Sequence, residues 1–489
     1  MMAAAASSVH AEDAVEYKPL SIGAMSEFGV IQGGRFGENS KPFYDEWVDH
    51  FGASLTQSVS VNGKWFLNVG IGGIFEFQKQ EKIGALWGGT QYRSFFIGPT
   101  TADVEYEAFN DNAKSLYVGM GIFPYKYNPD ASNLGEYLFR TGPYPTYIMT
   151  GGYSFVNNSG ASLQGLKSRF TLGKFSADVF LTTETVMPPL YDLSLAGVIK
   201  YSLADGLLDL GAGVNLKRLV PLRPSKTTVE TPDNAYFTGP DGGTYAGNQS
   251  YYRNQKEFYG NKLSTSGATA GDTAKYNQAK GLLDSVTAWV SPGSTFHPVY
   301  NYYTQAGIVV DATISLDPKK WLPTSVKDRM GSNDLRIYAE AALLGVKNYP
   351  IFYEKQQDRM PIMVGINLPG FRFIDLISVQ FEYYNSPNVN SFFESVSTNG
   401  ATPQFVNGSQ NLLSKNEYGD QLSKDNYSWS VLIKKELTRG LTFSFQAARD
   451  HARLVSDATW AGPFLDPNEV FYTTNRNNWY WMTQFSFGI

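Results

Sequence analysis

No cysteine occurs among the 489 residues. That removes thiolate nucleophiles, disulfide staples and cysteine-ligated zinc together. It fits a chain exported through an oxidising compartment, where a stray thiol is a hazard. Histidine is nearly as scarce: His10, His50, His297 and His451 are the four. No HExxH, GxSxG or Walker pattern occurs, so no catalytic residue is assigned and no enzyme is expected. Charged residues are only 17% and the net charge is −5. That balance argues against a nucleic-acid partner. No run of 18 uncharged apolar residues exists, which excludes a helical membrane span.

Aromatics and glycine are plentiful, with 31 Tyr, 32 Phe and 47 Gly. They sit in a period-two pattern. In residues 478–489, Trp479, Trp481, Phe485, Phe487 and Ile489 fall on one side of an extended strand. Asn478, Tyr480, Gln484 and Ser486 fall on the other. Alternation of this kind suits a strand with an apolar outside and a wet inside. It recurs along the chain. Residues 64–77 set Trp65, Leu67, Val69 and Ile71 against Asn68, Gly70, Gly72 and Glu76. Residues 334–346 set Leu335, Ile337 and Ala339 against Arg336, Tyr338 and Glu340. Residues 374–384 set Ile377, Val379 and Phe381 against Ser378, Gln380 and Glu382. These segments have the length that crosses a bilayer when tilted. They reconcile a mean hydropathy of −0.27 with a membrane protein, because half of each strand faces water.

The C-terminal strand resembles that of Gram-negative outer-membrane β-barrels of the porin-like kind, with Ile489 where the usual terminal aromatic stands. The resemblance implies an all-β fold: a transmembrane, antiparallel, up-and-down β-barrel with long extracellular loops and short periplasmic turns. It also implies residence in the outer membrane after export through the periplasm. Contact with outer-membrane lipid and lipopolysaccharide follows, as does recognition of the last strand by the barrel-assembly machinery. A homotrimer is a further implication. Residues 1–11 read as the remnant of a signal peptide, and residues 12–489 as one barrel domain. Seventeen candidate strands emerge, whereas an even number is required. Treating Thr146–Phe170 as a single bulged strand gives sixteen. A missed strand would give eighteen. The largest outside link is an insertion at about 220–303, with a helical stretch near Ala274–Val290. The Asn62-Gly63 pair marks a tight hairpin.

Alternation directs many charges inward. Glu76, Asp103, Glu105, Asp178, Glu184, Asp209, Asp311, Glu340, Glu382 and Glu436 are the acids. Lys167, Arg169, Lys174, Lys200, Lys217, Arg336 and Lys434 are the bases. A dry core does not tolerate so many charges, so a water-filled, pore-lined interior is expected. The acidic excess points to a mild cation preference. The competing reading is that these charges pair across strands and tie the wall together. Residues 133–140 (NLGEYLFR) are compatible with helix and lie in the third outside link. In general porins that link folds into the lumen. The resemblance therefore places Asp130, Glu136 and Arg140 at a constriction. Trp65, Tyr201, Tyr427, Trp429, Trp479 and Trp481 form a candidate interfacial girdle.

Two functional classes stay open. One is a porin for passive diffusion of small polar solutes and ions. The other is a selective uptake channel, or a barrel that binds a surface glycan or polymer through Tyr236, Tyr245, Tyr251, Tyr252 and Tyr259. A membrane hydrolase would need more than the Asp450-His451 pair. No cofactor is expected; Asp241 in a PDGG turn is the one candidate ligand for loop-bound calcium, and a plain turn explains it better.

Overall fold

Period-two patterning becomes a wall of sixteen strands. The computed structural model describes residues 15–33, 41–76, 95–111, 113–139, 161–183, 191–222, 228–229, 236–238, 244–246, 249–264, 267–289, 303–304, 306–346, 356–384, 427–449 and 479–489. The wall runs β1 (Ser21–Gly33), β2 (Lys41–Val61), β3 (Trp65–Glu76), β4 (Phe95–Asn110), β5 (Lys114–Tyr125), β6 (Ala161–Leu172), β7 (Phe175–Thr183) and β8 (Leu193–Leu203). It continues through β9 (Leu208–Val220), β10 (Gly307–Leu316), β11 (Arg336–Leu343), β12 (Ile362–Leu368), β13 (Leu376–Tyr383), β14 (Tyr427–Thr438), β15 (Leu441–Arg449) and β16 (Trp479–Gly488). Each strand pairs antiparallel with the next. β1 then pairs with β16 from Gly23↔Gly488 to Gln32↔Trp479, which closes the cylinder. A short strand, Val15–Tyr17, extends the pairing of β2 beyond β1. Closure leaves no open edge, the condition for a sheet to survive in hydrocarbon.

Local chemistry sets the joints. Asn62 and Gly63 have φ of 55° and 64°, the left-handed pair that a two-residue hairpin demands. The other tight turns, around Gly173, Gly206 and Gly440, lie at the same end of the barrel. Outward side chains there and along the strands are apolar and exposed: Val69 62%, Met120 56%, Val364 51% and Phe485 48%. Inward neighbours are polar and buried, among them Glu340, Gln380, Glu382 and Ser430. This is the reverse of a soluble protein, in which large exposed apolar bands are rare.

The wall has sixteen strands, the first of the two counts expected. Other expectations need correction. The stretch 146–160, assigned to one bulged strand with 161–170, lies outside the described residues. β2 begins at Lys41, well inside a region expected to be loop, and β4 continues to Asn110. Long strands here obey pairing register with their neighbours rather than their own composition. The large insertion holds two helices, α1 (Gln249–Leu263) and α2 (Ala270–Trp289), where one was expected. α1 is rich in Tyr, Asn and Gln and has only a weak apolar face of its own. It forms by packing on α2. The long link at the short-turn end, 317–333, is also ordered. Asp317 caps a 3-10 turn (Pro318–Trp321). Buried Asp334 accepts from the amides of Gly331, Gly370 and Phe371 at 2.9–3.0 Å, tying this link to the β12–β13 turn.

Candidate functional site: a segment folded into the barrel

After β5 the chain turns inward. Residues 126–139 lie inside the cylinder and bond to strands across much of its circumference. Tyr125 donates to Asp178 on β7 at 2.7 Å. Asp130 accepts from Ser315 on β10 at 2.6 Å and pairs with Arg336 on β11 at 2.9 Å. The amides of Asn133 and Leu134 donate to the side-chain oxygen Oε1 of Gln380 on β13, at 2.9 and 3.0 Å. Asn133 Nδ2 reaches Ser430 on β14 at 3.1 Å. Tyr137 donates to Glu382 at 2.8 Å. Asn215 on β9 donates to the Leu138 carbonyl at 3.0 Å.

Glu340 on β11 is the centre of this attachment. Its carboxylate accepts from the Tyr127 hydroxyl (2.7 Å), Asn128 Nδ2 (2.6 Å) and the Tyr137 amide (2.9 Å). A buried carboxylate needs such donors, and charge-assisted bonds are the strong ones. The backbone is shaped to deliver them. Gly135 and Glu136 are both left-handed, with φ of 87° and 57°. A Cβ on Gly135 would stand 2.6 Å from Met363 Cε and 2.9 Å from Glu340 Oε2, so only glycine fits against the wall there. Leu134, Tyr137 and Leu138 are fully buried among Val198, Val309, Tyr338, Ala342 and Met363. The segment is thus packed as core on this side. Burial pushes the Tyr127 phenol well above its ordinary value, and the neighbouring Glu340, Asp311 and Glu136 add to the shift.

This is a closed, sixteen-stranded, antiparallel β-barrel. No family model and no curated protein matches its sequence. Among solved structures, two variants of a Rhodopseudomonas blastica porin are similar, each with a TM-score of 0.40. Their identities are 6% and 5%, covering 97% of this chain and 100% of theirs. The closed pairing of the wall, not this distant likeness, fixes the class.

Inside the barrel the predicted charges separate into groups. Lys167 pairs with Asp103 (2.7 Å) and Glu105 (3.1 Å), and Arg169 also pairs with Glu105. Lys167 further rides over the Phe123 ring at 4.7 Å. Arg336 bridges Asp130 and Asp209. Lys200 stands in the field of Asp178 and Glu136. Glu136 is buried at 7% exposure and accepts from the Asn128 amide. Asp311 is 6% exposed, and among the described residues neither of its oxygens has a hydrogen-bond donor. Lys217 is half-buried and engaged, and Lys434 is half-buried without an ion pair among the described contacts. Lys174 and Glu436 lie at the turns instead. Lys174 is exposed and pairs with Asp205, and Glu436 is exposed. Arg140 and Glu184 lie outside the described residues, as do the side chain of Glu76, the calcium candidate Asp241 and the Asp450-His451 pair.

The inward charges are therefore largely bonded to one another or to the inserted segment, not isolated in water. That is the arrangement of the competing reading, in which inward charges pair and tie the wall together. Asp103, Glu105, Asp311, Glu340 and Glu382 are each less than one-tenth exposed. Hydrogen-bond donors and neighbouring cations stand in for water at all of them except Asp311.

The girdle candidates fall at two ends. Trp65 stacks near Tyr106 (4.6 Å) at the short-turn end, where Tyr201 is also exposed. Tyr427 lies near Tyr383 (5.2 Å), and Trp429 near Trp479 (6.0 Å), at the opposite end with Trp481. Of the five loop tyrosines, Tyr252 and Tyr259 are buried in the α1–α2 pair, and the side chains of Tyr236, Tyr245 and Tyr251 lie outside the described residues.

Sequence reasoning missed Tyr127, Asn128 and Tyr137, which carry much of the attachment. They are uncharged and lie outside the strands, so no period-two pattern marks them; the pattern sets Gln380 inward but does not reveal it as an anchor. It also missed the buried Arg218–Asp192 pair (3.2 Å). Arg218 has φ of 51° and sits at a register shift in β9, so simple alternation fails there.

Proposed function

We propose that the chain is an outer-membrane channel, not an enzyme, through which small polar solutes and ions diffuse with a mild cation preference. One observation carries the reading: a sealed wall, apolar outside, holds charged side chains and a segment of its own chain inside. Lipid on one face and polar groups on the other are what a bilayer-spanning barrel requires. Asp130 and Glu136 on the inserted segment, with Arg140 following in sequence, set the narrowing. The remaining inward acids and bases line the path. The acids outnumber the bases, which favours cations by raising their local concentration.

In this reading the short turns face the periplasm and the long links face outward. Trp65 and Tyr201 sit at one headgroup level, and Tyr427, Trp429, Trp479 and Trp481 at the other. The partners are outer-membrane lipid and lipopolysaccharide, the assembly machinery that takes the last strand, and two further copies in a trimer. The test is current across a planar bilayer from protein whose gel migration changes on boiling. Discrete conductance steps are expected, with a reversal potential displaced toward the cation side under a salt gradient. Silence from properly folded protein defeats the channel. A reversal potential at zero defeats the cation preference alone.

A further inference from the structure

We propose that Lys434 forms an anion-contact site inside the barrel, and that its ligands are small oxyanions such as inorganic phosphate or carboxylates. The inference deepens the channel reading by naming a solute class at one place on the path. Lys434 lies on β14, four residues before the Thr438 turn end, on the same inward face as buried Ser430 and Leu432. Its partners in register are Leu376 on β13 and Ser444 on β15. Neither supplies a negative charge. Asp375, the nearest acid in sequence to Leu376, is engaged by Lys435 at 3.3 Å.

Most other inward cations have partners. Lys167 and Arg169 pair with Asp103 and Glu105, and Arg336 with Asp130 and Asp209; Lys200, without an ion pair among the described residues, stands in the field of Asp178 and Glu136. The Lys434 carbonyl accepts from the Asp375 amide at 3.0 Å, but among the described residues its ammonium group has neither an ion pair nor a hydrogen bond. Half-burial takes water from an ammonium group, and an unpaired charge in that position is costly. The same half-exposure leaves it reachable by a mobile ion. The seam beside it does not compete. Ser444 donates to Gln484 Oε1 (3.3 Å), and Gln484 Nε2 donates to Glu27 Oε2 (3.3 Å). Glu27 is only 1% exposed. Glu436, two residues further along β14, is exposed at the turn; deeper in, the wall seals Glu27 away and presents Lys434. A count of inward acids and bases hides that local reversal.

The experiment compares wild type, Lys434→Gln and Lys434→Arg, each folded and heat-modifiable. In planar bilayers, Lys434→Gln should raise the cation-to-anion permeability ratio by about twofold, the scale of one charge in a focused field. Lys434→Arg should leave it near wild type. In detergent, wild type should broaden the phosphorus-31 resonance of inorganic phosphate, and Lys434→Gln should return it to the buffer width. Broadening that is absent, or equal in wild type and Lys434→Gln, overturns the inference whatever the current shows. Absence of current in wild type, with Lys434-dependent broadening intact, defeats the channel and leaves the anion site standing.

Discussion

Glu340 and Asp311 sit on adjacent strands with opposite circumstances. Glu340 has three donors; Asp311 has none among the described residues. Their substitutions should therefore move stability in opposite directions. Glu340→Gln turns an acceptor-only group into one with a competing amide, facing Asn128 Nδ2. It should destabilise the folded barrel by about 1.5–3 kcal/mol, the worth of a bond to a charged group. Asp311→Asn removes an orphaned carboxyl beside another acid and should stabilise by about 1 kcal/mol. Urea unfolding in detergent micelles, followed by the loss of the fast-migrating band, reads both. Equal losses in the two variants would contradict the assignment of donors.

At the scale of elements, the inserted segment and the α1–α2 pair make distinct predictions. The Ser132 and Ser378 hydroxyls lie 3.0 Å apart, one on the segment and one on β13. The chain has no cysteine, so the double variant Ser132→Cys with Ser378→Cys holds the only thiols. An oxidised cross-link should form readily and leave conductance unchanged, because the segment is already seated. A large conductance change on oxidation would show that the segment moves during passage. In the helix pair, Asp272 accepts from the amide and hydroxyl of Thr269 and pairs with Lys262 at 2.8 Å. The Thr269 hydroxyl in turn accepts from the Asp272 amide, a reciprocal cap. Lys262, first, and then these bonds hold the Asp272 carboxyl down to about 2, from 3.8. A depressed carboxyl stabilises above its unfolded value and loses that contribution as pH falls through the folded one. Pepsin should thus cut wild type near α2 increasingly between about pH 4 and pH 2, relative to Asp272→Asn, which should show no such change in ratio. Elements also show what was legible in advance. Strands such as β3, β11 and β13 could be read because each alternates cleanly, and so could the inward placement of Glu340 and Glu382. The seat of the inserted segment could not. It depends on Tyr127, Gln380 and the left-handed Gly135–Glu136 step, which meet only once distant strands have closed. α1 was invisible for the same reason: its partner helix, not its own periodicity, holds it.

For the whole molecule, the apolar belt sets a depth-dependent cost. Val69 lies mid-strand on the outer face, and Trp65 lies at its end. Val69→Arg should cost about 2–4 kcal/mol in lipid, and an arginine at position 65 about 0–1. Folding free energies in bilayers of defined thickness check the gradient; equal costs would mean the belt does not face hydrocarbon. The seam has a different consequence. Ile22 and Ile489 exchange both backbone bonds, at 2.8 and 3.1 Å, so the cylinder is stapled by its most widely separated strands. During synthesis, every shorter piece of the wall is a sheet with two raw margins. The polypeptide has to be kept from sticking to its neighbours until both margins exist to meet each other, which makes escort and delayed insertion a requirement of the topology itself.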